Sequence, residues 1–229
     1  MGFSRRDILQ LSILASIGFP LSRVFAASEK AALSGKGGFP LTVAVLKEAF
    51  VVETVATRRY VSFAHKALEE RYPNIAYMFI AFSESEKTHA DNYRSILLPL
   101  GESPREPGTQ ITVSDTRDNL RTAAKNELDK IDHTYPDYLK RLQVEANEPS
   151  VVNCMYSWKS HQQHEEEIKK IIRYSGLFFD QVAKKIEGGN PDYFVCSLCG
   201  STISEPPKIA CIICNYPMKY YRRIDRPSL

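Results

Sequence analysis

Two groups of residues in this 229-residue chain have the types and spacing that bind metal ions. The first is a pair of Cys-x-x-Cys knuckles, formed by Cys196 with Cys199 and by Cys211 with Cys214. Four thiolates at this spacing suit one tetrahedral ion, either zinc or a single iron. The alternative in an exported protein is two disulfides that staple the tail, but paired knuckles favour the metal.

The second group consists of carboxylates and imidazoles on helical patterns. Glu86 and His89 are three residues apart, so an α-helix places both on one face, where they can bind one ion. The apolar positions around them fall on that same face, and a carboxylate buried there needs a partner or a metal. Similar inward positions on other helices are predicted for Glu53, Glu127, His161 and His164.

Four helical patterns position these residues. The first covers about 42–71, the second begins at Pro73 and ends near residue 98, the third begins at Ser114 or Asp115, and the fourth runs from Pro149 or Ser150 to Gly176. We expect Pro136 to kink the third helix. Residues 101–114 have no helical period, which indicates a long crossing connection. Two helical hairpins joined by one crossover predict a mainly α, ferritin-like four-helix bundle with inward-facing ligands.

The first 26 residues are interpreted as an export signal. Arg5 and Arg6 precede a modestly apolar run, and Val24 and Ala26 place small residues before a cleavage site after Ala26. This pattern resembles a twin-arginine signal, so we expect an exported, periplasmic protein, anchored by this segment if it is not cleaved.

The overall composition indicates an ordinary globular protein. Apolar residues make up 43% of the chain and charged residues 25%. A formal net charge of +3 is too small to predict a nucleic-acid partner. The sequence has no nucleotide-binding loop, so a separate reductase would have to supply electrons to any redox centre.

The cysteine-rich tail is interpreted as a unit separate from the bundle, after a linker at 177–191. Gly200 and Asn215 each follow the second cysteine of a knuckle, where a left-handed backbone conformation is expected.

The region from about residue 40 to the end resembles rubrerythrin, a family with a ferritin-like di-iron domain and a rubredoxin-like iron domain. On this resemblance the bundle covers 40–176 and the rubredoxin-like domain 192–229. It implies reduction of hydrogen peroxide at the di-iron centre, electron entry through the four-cysteine site, and a head-to-tail homodimer across which the two sites meet. The matching segments are 53–60, 84–90, 119–127 with Tyr135 and Pro136, and 193–200.

Two positions depart from the family pattern. Lys130 stands where the third helix should carry a second glutamate, and His161 stands where the fourth helix should carry one. A neutral imidazole offers one lone pair and cannot bridge two ions as a carboxylate does. We therefore expect the bundle to hold either two iron ions, less tightly than in the family, or one.

Three functions remain open. The first is peroxide reduction, with Glu86 bridging, His89 and His164 as terminal ligands, and Lys130 stabilising negative charge that develops on the peroxide oxygens. The second is electron transfer or metal binding at a degenerate centre that holds one ion or none. The third, metal storage, leaves the tail domain without a role.

Several further residues are assigned roles. In the second function Lys130 would pair with Glu53 or Glu127. Tyr60 and Tyr135 match tyrosines beside the family's iron centre, with two core tyrosines as the alternative. The remaining cysteine, Cys154, is expected to be a buried apolar residue. The polar side chains predicted to face solvent are those of Asp129, Asp132 and His133.

Overall fold

The computed structural model describes residues 38–172, 179–205 and 207–228. The predicted export segment and the predicted helix end at Gly176 lie outside these residues. The helices are α1 (Pro40–Glu69), α2 (Pro73–Leu97), α3 (Thr116–Asp129), α4 (Tyr135–Leu142), α5 (Glu148–Ile172) and α6 (Phe179–Glu187). The strands are β1 (Phe194–Cys196), β2 (Thr202–Ile203) and β3 (Tyr221–Arg223).

Helices α1 and α2 form the first hairpin, close to the predicted bounds. The chain reverses at Arg71, whose φ of 65° is left-handed. Pro40 and Pro73 lie in the first turns of the two helices, where a missing N–H costs no intrahelical bond. The two helices pack along their length, so Glu53 and Glu86 face each other in the interior.

The third predicted helix is interrupted before Pro136. Asp115 caps α3 by accepting a hydrogen bond from the Asp118 N–H at 2.8 Å. A π-helical turn then spans Lys130–Thr134 before α4 begins. Proline cannot donate a backbone hydrogen bond, so the helix widens ahead of it, and Trp158 Nε1 donates to the Ile131 carbonyl at 2.9 Å. The predicted kink is therefore a π-helical turn, and its first residue, Lys130, is buried.

The segment predicted as a linker contains helix α6. Phe179 and Ala183 are buried in the bundle core, and the Glu187 carboxylate accepts from the backbone N–H groups of Asn74 and Ile75. Glu187 thus satisfies unpaired donors at the start of α2. The linker interpretation failed because the short amphipathic pattern ends in Gly-Gly-Asn-Pro, which resembles a flexible connection.

The cysteine-rich tail also packs on the bundle, contrary to the expectation of a separate unit. Its antiparallel sheet has the strand order β2-β1-β3, with Val195 opposite Thr202 on one side and Arg222 on the other. Tyr193, Val195 and Ile224 are buried in the same apolar cluster as α1 and α2. Apolar burial therefore stabilises the tail against the helices.

The bundle core has two apolar clusters, one towards each end. Tyr60, Phe63 and Phe79 lie in one cluster, and Phe50 and Tyr93 lie in the other. The buried polar residues on α1, α2, α3 and α5 lie among these apolar side chains. Within the described ranges, no helix has the length and apolar character needed to span a bilayer.

Candidate metal centres

The four knuckle cysteines converge as predicted. The Sγ atoms of Cys199 and Cys211 are 3.5 Å apart, and those of Cys196 and Cys214 are 3.8 Å apart. None forms a disulfide. Thiolates bound to one tetrahedral ion at about 2.3 Å lie about 3.8 Å apart, so the sulfur positions suit one ion.

The two knuckle turns have the expected backbone conformation. Gly200 has a φ of 75° and Asn215 a φ of 60°, and both are left-handed. Their backbone N–H groups donate to the carbonyls of Cys196 and Cys211, each at 2.9 Å. These turns place the second cysteine of each knuckle beside the first.

The bundle brings together all six predicted carboxylate and imidazole ligands. Each is fully buried, and the helices contribute them from different directions: Glu53 from α1, Glu86 and His89 from α2, Glu127 from α3, and His161 and His164 from α5. Two sets of four have ligand atoms within 4.8 Å of one another. The first set is Glu53, Glu86, His89 and His161, and the second is Glu86, Glu127, His161 and His164.

The two predicted tyrosines hydrogen-bond to the outer carboxylates. Tyr135 OH donates to Glu53 Oε1 at 2.6 Å, and Tyr60 OH donates to Glu127 Oε1. Both hydroxyls are fully buried, and burial raises the pKa of each well above its ordinary value. The tyrosines therefore remain neutral donors that orient the carboxylates.

Lys130 lies inside the ligand cluster. Its Nζ is 2.8 Å from Glu53 Oε2 and 3.2 Å from Glu86 Oε1, and the residue is 5% exposed. Of the two alternative partners considered from the sequence, Glu53 is the one that Lys130 contacts, and Glu86 is a further partner that was not predicted. Lys130 follows Glu127 by three residues and its N–H still donates to the Asn126 carbonyl as in a regular α-helix, so α3 places both side chains on one inward face.

The charges of this cluster are strongly linked. Burial alone would raise the pKa of Glu86, but the positive charges of Lys130 and His161 hold it well below its ordinary value. Burial and Lys130 lower the pKa of His161, but the surrounding carboxylates raise it to about 10. Without a metal, His161 is therefore protonated at neutral pH and balances carboxylate charge.

Two imidazole nitrogens are aimed into the cluster without a hydrogen-bond partner. They are His161 Nε2 and His164 Nδ1. The other nitrogen of His164 is 3.2 Å from Thr202 Oγ1, which orients the ring. Unpaired buried nitrogens beside carboxylates fit a metal such as iron, because a bound ion would satisfy them.

The two metal-binding groups are in direct contact. His89 Nε2 lies 3.2 Å from the carbonyl oxygen of Cys199, while His89 Nδ1 lies 3.0 Å from Glu86 Oε2. A ligand of the bundle is thus joined by one hydrogen bond to a residue of the cysteine cluster. This contact forms within a single chain.

Serines missed in the sequence complete this junction. Ser85 Oγ and Ser160 Oγ donate to the Gly200 carbonyl at 2.6 and 2.9 Å. A Cβ on Gly200 would lie 2.2 Å from His89 Nε2, so only glycine permits this approach. The sequence signal that could have identified Ser85 is its position, one residue before Glu86 and four before His89.

The remaining predicted positions agree with the structure. Cys154 is buried in the apolar cluster at the Phe50 end. The three polar residues predicted to face solvent are exposed: Asp129, Asp132 and His133.

Comparisons with known proteins identify relatives of this chain. The family profile described as Rubrerythrin matches residues 44–172. Rubrerythrin-2 of Clostridium acetobutylicum is 26% identical over 179 residues, covering 76% of this chain and 92% of the relative. Nigerythrin of Nitratidesulfovibrio vulgaris is 26% identical over 178 residues, covering 77% and 83%.

Solved structures show the same fold. A mixed-valence nigerythrin matches with a TM-score of 0.67 at 22% identity, covering 80% of this chain and 86% of that chain. The di-iron bacterioferritin of Desulfovibrio desulfuricans matches with a TM-score of 0.62 at 18% identity, covering 67% and 91%. Since the family profile covers more than half of the sequence and both groups of metal ligands are assembled, this chain belongs to the rubrerythrin family.

Proposed function

We propose that the protein reduces hydrogen peroxide at the bundle centre, using electrons that a separate reductase delivers through the four-cysteine iron site. Rubrerythrins bind iron at both kinds of site, and this chain has both ligand groups. The observation that carries the proposal is the 3.2 Å contact between Cys199 O and His89 Nε2. It gives electrons a short route from one centre to the other.

The reaction consumes two electrons and two protons for each peroxide and yields two waters. Iron bound in the bundle would supply electrons to the O–O bond. Lys130 places a positive charge beside Glu53 and Glu86, where it stabilises negative charge that develops on oxygen. Tyr60 and Tyr135 keep the outer carboxylates oriented.

The location and assembly of the protein form part of the proposal. Arg5 and Arg6 in the N-terminal segment support twin-arginine export to the periplasm, with that segment either cleaved after Ala26 or retained as an anchor. This export route accepts folded proteins, which suits metal loading before transport.

Within the family, a homodimer is typical. A head-to-tail dimer is not needed here to join the two sites, because the junction forms within one chain.

A second candidate function is electron transfer or metal binding without peroxide reduction. The observation that favours it is the pairing of Lys130 Nζ with Glu53 and Glu86 at 2.8 and 3.2 Å. An ammonium group bound to two ligand carboxylates weakens their hold on metal ions.

Mixing the reduced, iron-loaded protein with peroxide under anaerobic conditions separates these functions. We expect the visible absorption of the oxidised four-cysteine iron to return rapidly, with two electrons consumed per peroxide. In Glu86→Ala, which leaves the cysteines intact, reoxidation should slow by about 100-fold or more. Equal rates in the two proteins would favour the second function. Cys154→Ala is a matched control that should behave like wild type.

A further inference from the structure

Lys130 occupies a position that bears on how many ions the bundle binds. We infer that the bundle centre binds one divalent ion, held by Glu86, Glu127, His161 and His164, and that the Lys130 ammonium group takes the place of a second ion.

The geometry of Glu53 supports this count. Its Oε1 accepts from Tyr135 OH at 2.6 Å and its Oε2 accepts from Lys130 Nζ at 2.8 Å. Both oxygens of Glu53 therefore accept from groups that cannot themselves bind a metal ion, a phenol and an ammonium group. Glu86 differs, because its contact with Lys130 Nζ is longer, at 3.2 Å, and its other partner is the imidazole of His89. A metal ion at Glu53 would have to displace Lys130, which is buried and paired with two carboxylates.

The two ligand sets also compete for His161, because both contain it. A neutral imidazole has one lone pair, so His161 can serve only one ion. Its Nδ1 is 2.8 Å from Glu127 Oε2, which places that nitrogen in the second set. An ion in the first set would then have only two free ligands, Glu86 and His89, because Glu53 is already paired with Lys130.

Placing the ion in the second set gives His164 Nδ1 the partner that it lacks. His164 Nδ1 lies 3.5 Å from Glu86 Oε1 and 3.7 Å from Glu127 Oε2, so all three can approach one ion. With His161 Nδ1 on the metal, its Nε2 carries the proton and faces Glu53 Oε1 at 3.4 Å. This is the carboxylate–histidine–metal arrangement that fixes ligand orientation in many sites.

Charge balance gives the same count. Glu53, Glu86 and Glu127 carry three negative charges, which one divalent ion and the Lys130 ammonium group cancel when the histidines are neutral. A second divalent ion would leave two uncompensated positive charges in a fully buried site, which is strongly unfavourable.

One consequence rests on the proposed function, whereas the ion count itself does not. With one iron in each centre, a single chain stores the two electrons that reduction of one peroxide to water consumes. Each iron changes from ferrous to ferric, and two protons are taken up from solvent. The contact between Cys199 and His89 would join the two halves of this electron store.

The experiment counts ions in the whole protein. Metal-free protein is titrated anaerobically with Mn(II), which carboxylate and imidazole ligands accept and a four-thiolate site disfavours. Bound ions are counted after desalting, and electron paramagnetic resonance distinguishes isolated Mn(II) from a coupled pair. Lys130→Glu adds a fourth carboxylate, and Lys125→Glu makes the same charge change on the exposed face of α3.

We expect one isolated Mn(II) in wild type and in Lys125→Glu, and a coupled pair in Lys130→Glu. A coupled pair of Mn(II) ions in wild type would overturn the inference, whatever the peroxide activity. This measurement needs no variant, so a failure to fold cannot affect it. A single ion in folded Lys130→Glu would also overturn it, because Lys130 would then not determine the count. If wild-type protein binds one ion in the bundle but does not reduce peroxide, the result would count against the proposed function alone.

Discussion

The two metal-binding regions of this protein are built in opposite ways. The four-cysteine group comes from one stretch of chain, 196–214, in which two tight turns place the sulfurs. The bundle group takes its ligands from four helices up to about a hundred residues apart in sequence, and it includes the buried ammonium group of Lys130. The occupancy of the first group follows from local geometry, whereas that of the second depends on how the helices pack.

The regions also differ in their access to solvent. Ile209 and Ile212, near the cysteine cluster, are 85% and 69% exposed, whereas the bundle ligands are fully buried. The four cysteines are themselves at most 6% exposed, but the exposed apolar surface beside them suits contact with a reductase, whereas the enclosed bundle site suits chemistry that must exclude water. Three predictions test how independent the two regions are.

The largest effect is expected from Cys199→Ser, which removes one thiolate of the four-cysteine site. The four-cysteine absorption should disappear and turnover with a reductase should be lost, because a tetrahedral thiolate site rarely survives the loss of a ligand. Mn(II) binding in the bundle should persist. If bundle binding is lost as well, the two regions are not independent. Cys154→Ser, which changes a buried cysteine outside the cluster, should retain the four-cysteine absorption.

A pH titration of the metal-free protein should reveal a property of the buried region. The pKa of His161 is raised from 6.5 to about 10, so its stabilising contribution is complete below pH 6.5 and is lost as the pH rises through 10. Between pH 7 and 10 the loss should be about 3 kcal/mol of unfolding free energy. Denaturant unfolding of wild type and His161→Asn checks this.

The pH effect belongs to His161 only if the substitution removes it. Parallel pH dependences in the two proteins would show that other groups cause the loss. Metal affinity of the bundle should show the opposite trend and rise with pH, because His161 must release its proton to bind an ion.

The smallest effect on metal binding is expected at the junction, from Gly200→Ala. The added methyl group meets His89 Nε2 at 2.2 Å, and the φ of 75° disfavours any Cβ. These penalties sum to about 3 kcal/mol, so the tail should shift away from α2 while both regions still bind metal. Electron transfer from the cysteine iron to the bundle, followed by stopped-flow absorption, should slow. Gly188→Ala is the control, since the nearest atom there is 3.4 Å away. Unchanged transfer in Gly200→Ala would show that the junction is not the route.

Much of this site could be predicted because its signals are local. Helical periodicity placed Glu53, Glu86 and Glu127 on inward faces, since burying apolar stripes forces the residues between them inward. Helix α6 was missed because a nine-residue amphipathic segment before two glycines resembles a linker. Ser85 and Ser160 were missed because serine occurs on helices without any functional pattern.

The sequence by itself determined the helices of the bundle, the knuckles and the candidate ligands of both groups, because turn chemistry and periodicity are properties of neighbouring residues. Only the tertiary structure decided that Lys130 lies between Glu53 and Glu86 and that Gly200 contacts His89. Both depend on contacts between distant parts of the chain. Packing of α3 beside the first hairpin brings Lys130 to Glu53 and Glu86, and burial of Tyr193, Val195 and Ile224 holds the knuckles on α2.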